Sequence, residues 1–155
     1  MSIAEKMAAN QKQVAISEFF EKNKHFLGFD TLTRALITAV KEAVDNALDA
    51  CEEARILPDI IVQITKIDTK KDILQLDVED NGPGIPRTSI EKVFGQLLFG
   101  SRFHAIRQSR GQQGIGITGV VMYSQLTTGY PTHVESKIAT EATAVAVDIG
   151  LDTRK

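Results

Sequence analysis

The stretch Asp80-Asn81-Gly82-Pro83-Gly84-Ile85-Pro86 decides how the rest of this sequence is interpreted. It follows Leu74, Leu76 and Val78, whose alternation with polar residues predicts a β-strand that the glycines and prolines must end. Such residues favour a tight turn with exposed backbone. Asp80 then lies where the strand ends, and glycine lets a flat ligand approach the main chain. A plain polar loop with a capping aspartate is the alternative interpretation.

The totals indicate one globular domain. The chain has 155 residues, 43% of them hydrophobic and 25% charged, which argues against disorder. Its net charge of −2 produces no global positive field that would attract nucleic acid or an anionic membrane. Cys51 is the one cysteine and cannot form an internal disulfide, as is typical of a reducing cytoplasm. We find neither a membrane-spanning run nor a signal-peptide core, and therefore expect a cytoplasmic protein with no membrane partner.

The N-terminal part is predicted to form an arm. Residues 1–16 are polar with weak periodicity, and we expect them to be mobile. Ser17 is a candidate N-cap for a short helix. The following apolar residues suit either of two arrangements: the segment folds back on its own core, or it packs on another subunit. These residues are Phe19, Phe20, Phe26, Leu27 and Phe29.

A long helix is predicted from about Thr31 to Ala54, capped by Asp30 or Thr31. At about 100° per residue, Glu42, Asn46 and Asp49 fall within an arc of about 60°. They form a polar column that suits a ligand, although any solvated helix face looks the same. The opposite side carries an apolar stripe of Leu36, Val40, Ala43, Val44, Ala47, Leu48 and Cys51.

The remaining pattern alternates short strands with helices. A glycine-punctuated, basic stretch from Gly95 to Gly116 predicts a lid, and a helix should begin at its last glycine. The other predicted elements are strands Ile60–Ile67 and Ile73–Glu79, a short helix Ser89–Phe94, and strands Thr132–Lys137 and Ala142–Ile149.

The loop Gly111-Gln112-Gln113-Gly114-Ile115-Gly116 leads into that helix. Free N–H groups and the positive dipole end make such a helix start a phosphate site. The loop lacks the Gly-Lys-Ser/Thr of a P-loop and the preceding strand of a dinucleotide fold. A glycine-rich lid without a ligand is the alternative. Combined with the polar column and the Asp80 turn, however, the loop points to a purine nucleoside triphosphate with a divalent cation.

Three segments carry a family resemblance. Glu42–Ala50, Asp80–Gly84 and Gly111–Gly116 resemble the three boxes of the GHKL (Bergerat-fold) ATPases. The connecting segments resemble the B subunits of the archaeal type IIB DNA topoisomerases, the topoisomerase VI family. That closer resemblance runs from about Ser17 to the end of the chain and is carried by residues 49–54, 56–60, 100–104 and 108–116.

The resemblance implies a role for each matching residue. Glu42 corresponds to the general base that activates water, Asn46 to the Mg²⁺ ligand, and Asp80 to the carboxylate that binds the adenine amino group. Gly84 would lie beside the ring, and Asp49 would support the site. The residues implied around the phosphates are Ser101 and Arg102 of the lid, and Gly111, Gln112, Gln113, Gly114, Ile115, Gly116, Ile117 and Thr118 of the loop and helix start.

The resemblance also implies a fold and a function. We expect an α/β two-layer sandwich with a mixed, mainly antiparallel sheet and helices on one face, residues 1–28 forming an arm and 29–155 the ATPase domain. In this family, ATP binding closes a dimer of B subunits, the arm is exchanged between protomers, and a separate A subunit cleaves double-stranded DNA so that one duplex passes another.

The sequence departs from the family pattern in two respects. Arg102 stands where lysine is usual, which keeps the charge but changes the donor geometry. The family's middle and transducer domains, including a catalytic lysine, have no counterpart, so we expect a C-terminally truncated product. Two alternatives stay open: a nucleotide-binding module without turnover, or another GHKL branch such as a histidine kinase or a MutL-like protein.

Overall fold

The computed structural model describes residues 2–94 and 116–150 of the chain. The elements, in chain order, are helix α1 (Ile3–Leu27), helix α2 (Leu32–Glu53), strands β1 (Ile60–Asp68) and β2 (Ile73–Asp80), helix α3 (Arg87–Phe94), helix α4 (Gly116–Thr128), and strands β3 (Thr132–Ser136) and β4 (Val145–Ile149). Within these residues no helix is long and apolar enough to cross a bilayer.

Helix α1 begins much earlier than the sequence pattern suggested. Ser2 caps it: its side chain accepts a hydrogen bond from the Glu5 N–H at 3.1 Å, and the Glu5 carboxylate accepts one from the Ser2 N–H at 2.7 Å. This reciprocal capping box satisfies two donors that a helix start leaves open. The predicted helix start with Ser17 as its N-cap was therefore wrong, because Ser17 lies inside one helix of 25 residues. Gly28, with φ of 86°, ends that helix in a left-handed cap.

Helix α2 confirms its prediction closely. The Thr31 side chain accepts a hydrogen bond from the Arg34 N–H at 3.1 Å and caps the first turn. Ala35, Ala47 and Cys51 are buried on its inner side, where α2 packs against α4 and the β1–β2 pair. The predicted apolar stripe is only partly covered, since Leu48 keeps 39% of its surface exposed.

The strands form two antiparallel pairs. In the first, Ile60 lies opposite Asp80 and Val62 opposite Val78; in the second, Val134 lies opposite Val147. The two-layer α/β prediction is confirmed. The expected mixture of parallel and antiparallel pairing is not observed in the ranges 2–94 and 116–150, where both ladders are antiparallel.

The apolar core lies between α3, α4 and the β3–β4 pair. Ile90, Val121, Val134 and Ile149 are buried together there. A second contact ties the α1–α2 junction to the same helix α4, because the Phe29 ring stacks on Tyr123 with ring centroids 5.0 Å apart. These contacts set where α4 begins relative to α2, which matters for the site.

Candidate functional site

The polar face of α2 carries Glu42 and Asn46, one helical turn apart. Asn46 is exposed, whereas Glu42 is half-buried. Burial raises the pKa of Glu42; the neighbouring Lys41 ammonium opposes that rise and the Asp45 carboxylate adds to it. Lys41 is itself held by Asp45, with Nζ 2.9 Å from Oδ2. A carboxyl group with a raised pKa is suited to accept a proton near neutral pH.

Helix α4 starts directly in front of Glu42. A Cβ at position 116 would lie 3.5 Å from Glu42 Oε2, so the carboxylate faces the helix N-terminus. The first backbone N–H groups of a helix have no partner within it and favour an anion. Ile117 is half-buried in this first turn, and Thr118 is only 3% exposed.

The Asp80 turn also packs against α2, near the C-terminal end of that helix. The Gly82 N–H donates to Asp80 Oδ1 at 2.8 Å, which closes an Asx turn. A Cβ at position 82 would lie 3.5 Å from Cys51 Sγ and 3.7 Å from the Ala50 Cβ. Because a helix rises about 1.5 Å per residue, this contact is about 12 Å along α2 from the one at Glu42. Asp49 lies between these two contacts in the sequence of α2, and it is half-buried.

Cys51 is fully buried beneath this turn. Burial raises the pKa of its thiol, and the Asp80 carboxylate nearby raises it further. A neutral thiol is a poor nucleophile. Cys51 thus serves packing and not chemistry.

The far end of the turn is held by β3 and the segment after it. The Ser136 hydroxyl accepts from the Ile85 N–H at 2.6 Å and donates to the Ile85 carbonyl at 3.0 Å. Gly84 has φ of 80°, and a Cβ there would overlap the Lys137 carbonyl. Glycine is thus required at position 84 by the protein's own packing, in addition to any role beside a ligand.

Sequence reasoning missed Asn81, Ser136 and the importance of Lys137. Asn81 follows Asp80 in the sequence, and its side chain makes hydrogen bonds to the segment between α2 and β1. The available signal was the Asn-Gly pair, which indicates turn chemistry and leaves the side chain's partners undefined. Ser136 carried no signal, since its partner Ile85 is distant in the chain.

Several predicted site residues lie outside the described residues. They are Ser101, Arg102, Gly111, Gln112, Gln113, Gly114 and Ile115.

The donor set on α2 fits Mg²⁺ better than a protein-only metal cage. Asn46 and Glu42 offer amide and carboxylate oxygens, and Mg²⁺ typically binds one or two such groups together with substrate phosphates. Throughout the part of the chain that the structure describes, no group of three or more His, Cys, Asp or Glu side chains is arranged to hold a metal on its own.

Comparison with known families gives the class of protein. Residues 31–152 match the family model for the histidine kinase-, DNA gyrase B- and HSP90-like ATPases. The chain belongs to this ATPase family. The matched range contains α2, the Asp80 turn and the start of α4.

Curated relatives identify the branch to which the chain is similar. A protein of Archaeoglobus fulgidus is 60% identical over 149 residues, which is 96% of this chain and 24% of that relative. Proteins of Halobacterium salinarum and Methanococcoides burtonii are 59% and 56% identical over 151 residues, 97% of this chain and 18% and 24% of those relatives. All three are named as the B subunit of type 2 DNA topoisomerase 6. The chain thus spans between about a fifth and a quarter of the length of these relatives.

Proposed function

We propose that this chain binds Mg·ATP and hydrolyses it as the ATPase part of the B subunit of a type IIB DNA topoisomerase, topoisomerase VI. One observation carries the proposal: the start of α4 contacts α2 at Glu42, and the Asp80 turn contacts the same helix at Ala50 and Cys51. Three sequence segments that are far apart in the chain therefore meet along one helix, with contacts that are about 12 Å apart by helical rise. The similarity to the B subunits of topoisomerase 6 supports the choice of branch.

At the phosphate end, Glu42 acts as the general base for the attacking water, and Asn46 holds Mg²⁺. Mg²⁺ held there would supply positive charge that neutralises the phosphates. The amides of Gly116, Ile117 and Thr118 receive the phosphates at the start of α4. On the family resemblance we assign phosphate binding also to loop residues 111–115 and to Ser101 and Arg102, and a supporting role to Asp49.

At the base end, Asp80 accepts a hydrogen bond from the adenine amino group. The Gly82 amide already occupies Oδ1, and no described residue donates a hydrogen bond to Oδ2. Gly84 lies next along the turn, where the main chain is free of a side chain. A carboxylate acceptor favours adenine over guanine, whose corresponding position is a carbonyl oxygen.

The wider function involves partners that act with the whole protein. ATP binding closes a second B subunit onto this one, with residues 1–28, essentially α1, as the arm exchanged between them. A separate A subunit cleaves double-stranded DNA, and closure drives one duplex through another to relax supercoils. We place this machinery in the cytoplasm, in keeping with the single free thiol of Cys51.

ATP binding is tested by comparing two probes on the 155-residue chain. Asp80→Asn should weaken ATP about tenfold or more, because a hydrogen bond to a charged group is worth about 1.5–3 kcal/mol, and should leave Mg·tripolyphosphate unchanged. Glu42→Gln should keep ATP binding and slow single-turnover hydrolysis about 10²-fold or more. Equal losses for both probes in the Asp80 variant would contradict the adenine assignment.

The arm is tested by crosslinking with a non-hydrolysable ATP analogue, with and without residues 1–28. Deletion should lower the nucleotide-dependent dimer yield. An unaltered yield would show that α1 docks within its own protomer.

A second candidate is nucleotide binding without turnover. The two candidates differ in one measurement. If Glu42→Gln leaves the single-turnover rate of this chain unchanged, the chain binds ATP and does not catalyse.

A further inference from the structure

The Asn81 side chain joins three segments that meet behind the Asp80 turn. Its Oδ1 accepts a hydrogen bond from the Asp59 N–H at 2.8 Å, and its Nδ2 donates to the Leu57 carbonyl at 3.0 Å. The Cys51 thiol also donates to Oδ1, with Sγ 3.5 Å away. A backbone donor and a backbone acceptor on its two ends allow only one orientation of the amide.

These partners belong to α2 and to the segment that follows it. Cys51 is on the inner side of α2, two residues beyond Asp49, and Leu57 and Asp59 lead from α2 into β1. Asn81 thereby fastens the turn to the helix that carries Glu42 and Asn46. Within the described ranges, Asn81 is the residue of the turn whose side chain makes hydrogen bonds to α2 and to the segment between α2 and β1.

The position of Asn81 also bears directly on the Asp80 carboxylate. The Asx turn runs from Asp80 Oδ1 to the Gly82 N–H at 2.8 Å, with Asn81 as its middle residue. The peptide planes on both sides of Asn81 therefore set the direction of that N–H. Because that N–H holds Oδ1, anchoring Asn81 also restrains the direction of the remaining oxygen, Oδ2.

We propose that Asn81 is a positioning residue for base recognition: by clamping the middle of the Asx turn to Leu57 and Asp59, it orients Asp80 Oδ2 toward an amino-bearing base. The inference rests on the proposed ATP-binding function and extends it to a residue that does not contact the nucleotide. A merely structural clamp would lower stability but would not change which base is preferred.

The test uses the 155-residue chain and measures dissociation constants for ATP, GTP and Mg·tripolyphosphate. Asn81→Ala should reduce the preference for ATP over GTP about tenfold, since misdirecting one charged hydrogen bond is worth about that factor, and should leave tripolyphosphate affinity within about twofold. Amide exchange at Gly82 in the free chain should accelerate in the same variant, because the Asx-turn hydrogen bond opens more often. Asn81→Asp, which keeps an acceptor for the Asp59 N–H and loses the donor to Leu57, should change both readouts in the same direction if the alanine variant fails to fold.

Ser136→Ala is the matched control. It removes two hydrogen bonds from the same turn, both to Ile85 at the far end. It should lower the stability of the chain while leaving the ATP to GTP ratio and Gly82 exchange close to the unsubstituted values.

An unchanged ATP to GTP ratio in a folded Asn81 variant would overturn this inference and leave the proposed function intact. An equal shift in Asn81→Ala and Ser136→Ala would overturn it as well, because general loosening of the turn would then suffice. Absence of ATP binding in the unsubstituted chain would instead overturn the proposed function, and this inference with it.

Discussion

The carboxylate of Glu42 faces Gly116, the first residue of α4. A Cβ built on Gly116 would lie 3.5 Å from Glu42 Oε2. The two residues belong to motifs that are far apart in the matched range, residues 31–152. Their proximity puts a proton acceptor in front of a helix N-terminus, where an anion is stabilised. A carboxylate in such a place is partly desolvated, which is the first cause of the raised pKa of Glu42.

This relationship predicts a pH profile. A general base must be unprotonated, so we expect the single-turnover rate to fall on acidification at a higher pH than an ordinary glutamate, whose pKa is about 4.3, would give. Lys41→Gln removes the charge that opposes the rise and should move this acidic limb to higher pH still. Lys66→Gln, which breaks the remote Lys66–Asp72 pair, is the control and should leave the limb in place. If Lys41→Gln leaves unchanged the pH at which the rate falls, this account of the pKa of Glu42 is contradicted.

Two glycines with almost equal backbone angles provide a steric test of the turn. Gly84 and Gly129 have φ of 80° and 78°, but a Cβ at 84 would overlap the Lys137 carbonyl, whereas one at 129 meets nothing within 4 Å. Gly129→Ala should cost about 1–2 kcal/mol of unfolding free energy for the left-handed backbone alone. Gly84→Ala should cost at least about 1 kcal/mol more, measured by urea unfolding. Equal costs would show that β3 and the turn separate without penalty.

The β3–β4 pair should respond to pH through His133. Its Nδ1 lies 2.7 Å from Asp148 Oδ1 and its Nε2 lies 2.8 Å from Glu135 Oε2, so both nitrogens donate only in the protonated ring. The hydrogen bond to Asp148, followed by that to Glu135, raises the pKa of His133 above its ordinary value.

A raised folded-state pKa gives stability that is fully present below the unfolded-state pKa, about 6.5, and is lost as the pH rises through the folded-state value. We therefore expect the unfolding free energy of the unsubstituted chain to exceed that of His133→Gln more at about pH 5.5 than at about pH 8.5. A difference that is constant with pH would count against the charged arrangement.

The start of α1 is testable with two serines. Ser2→Ala removes the side-chain acceptor for the Glu5 N–H and should reduce the helicity of the first turn, at a cost of about 1 kcal/mol. Ser17→Ala, inside the helix, should leave helicity equal or slightly higher because alanine is the better helix former. Carbon chemical shifts along residues 2–20 would measure both effects. Fraying that begins at Ser17 instead would favour the shorter helix that the sequence pattern predicts.

Much of the local structure was predictable because its causes are local. The Thr31 cap, the polar column on α2, the strand that ends at Asp80 and the helix that begins at Gly116 all follow from periodicity, capping and turn residues within a few positions of one another. The error at α1 was also local, since the Ser2–Glu5 capping box is visible in the sequence and was overlooked.

The site was predictable only as separate segments. Spacing along α2 placed Glu42 and Asn46 on one face, and the family resemblance supplied a partner for that face. The sequence pattern does not predict that position 82 approaches Cys51 or that Ser136 binds Ile85. Such contacts join residues that are far apart in the chain, and their separation has no periodic signal.

The sequence alone determined which residues have suitable chemistry: a carboxylate at a strand end, an acid and an amide one helical turn apart, and glycines before a helix. Tertiary structure alone decided that the start of α4 and the Asp80 turn both contact α2, that Gly84 is required by the Lys137 carbonyl, and that Asn81 anchors the turn to the segment after α2. The physical reason is that helix and turn propensities act over a few residues, whereas packing and side-chain hydrogen bonds depend on how distant segments meet in space.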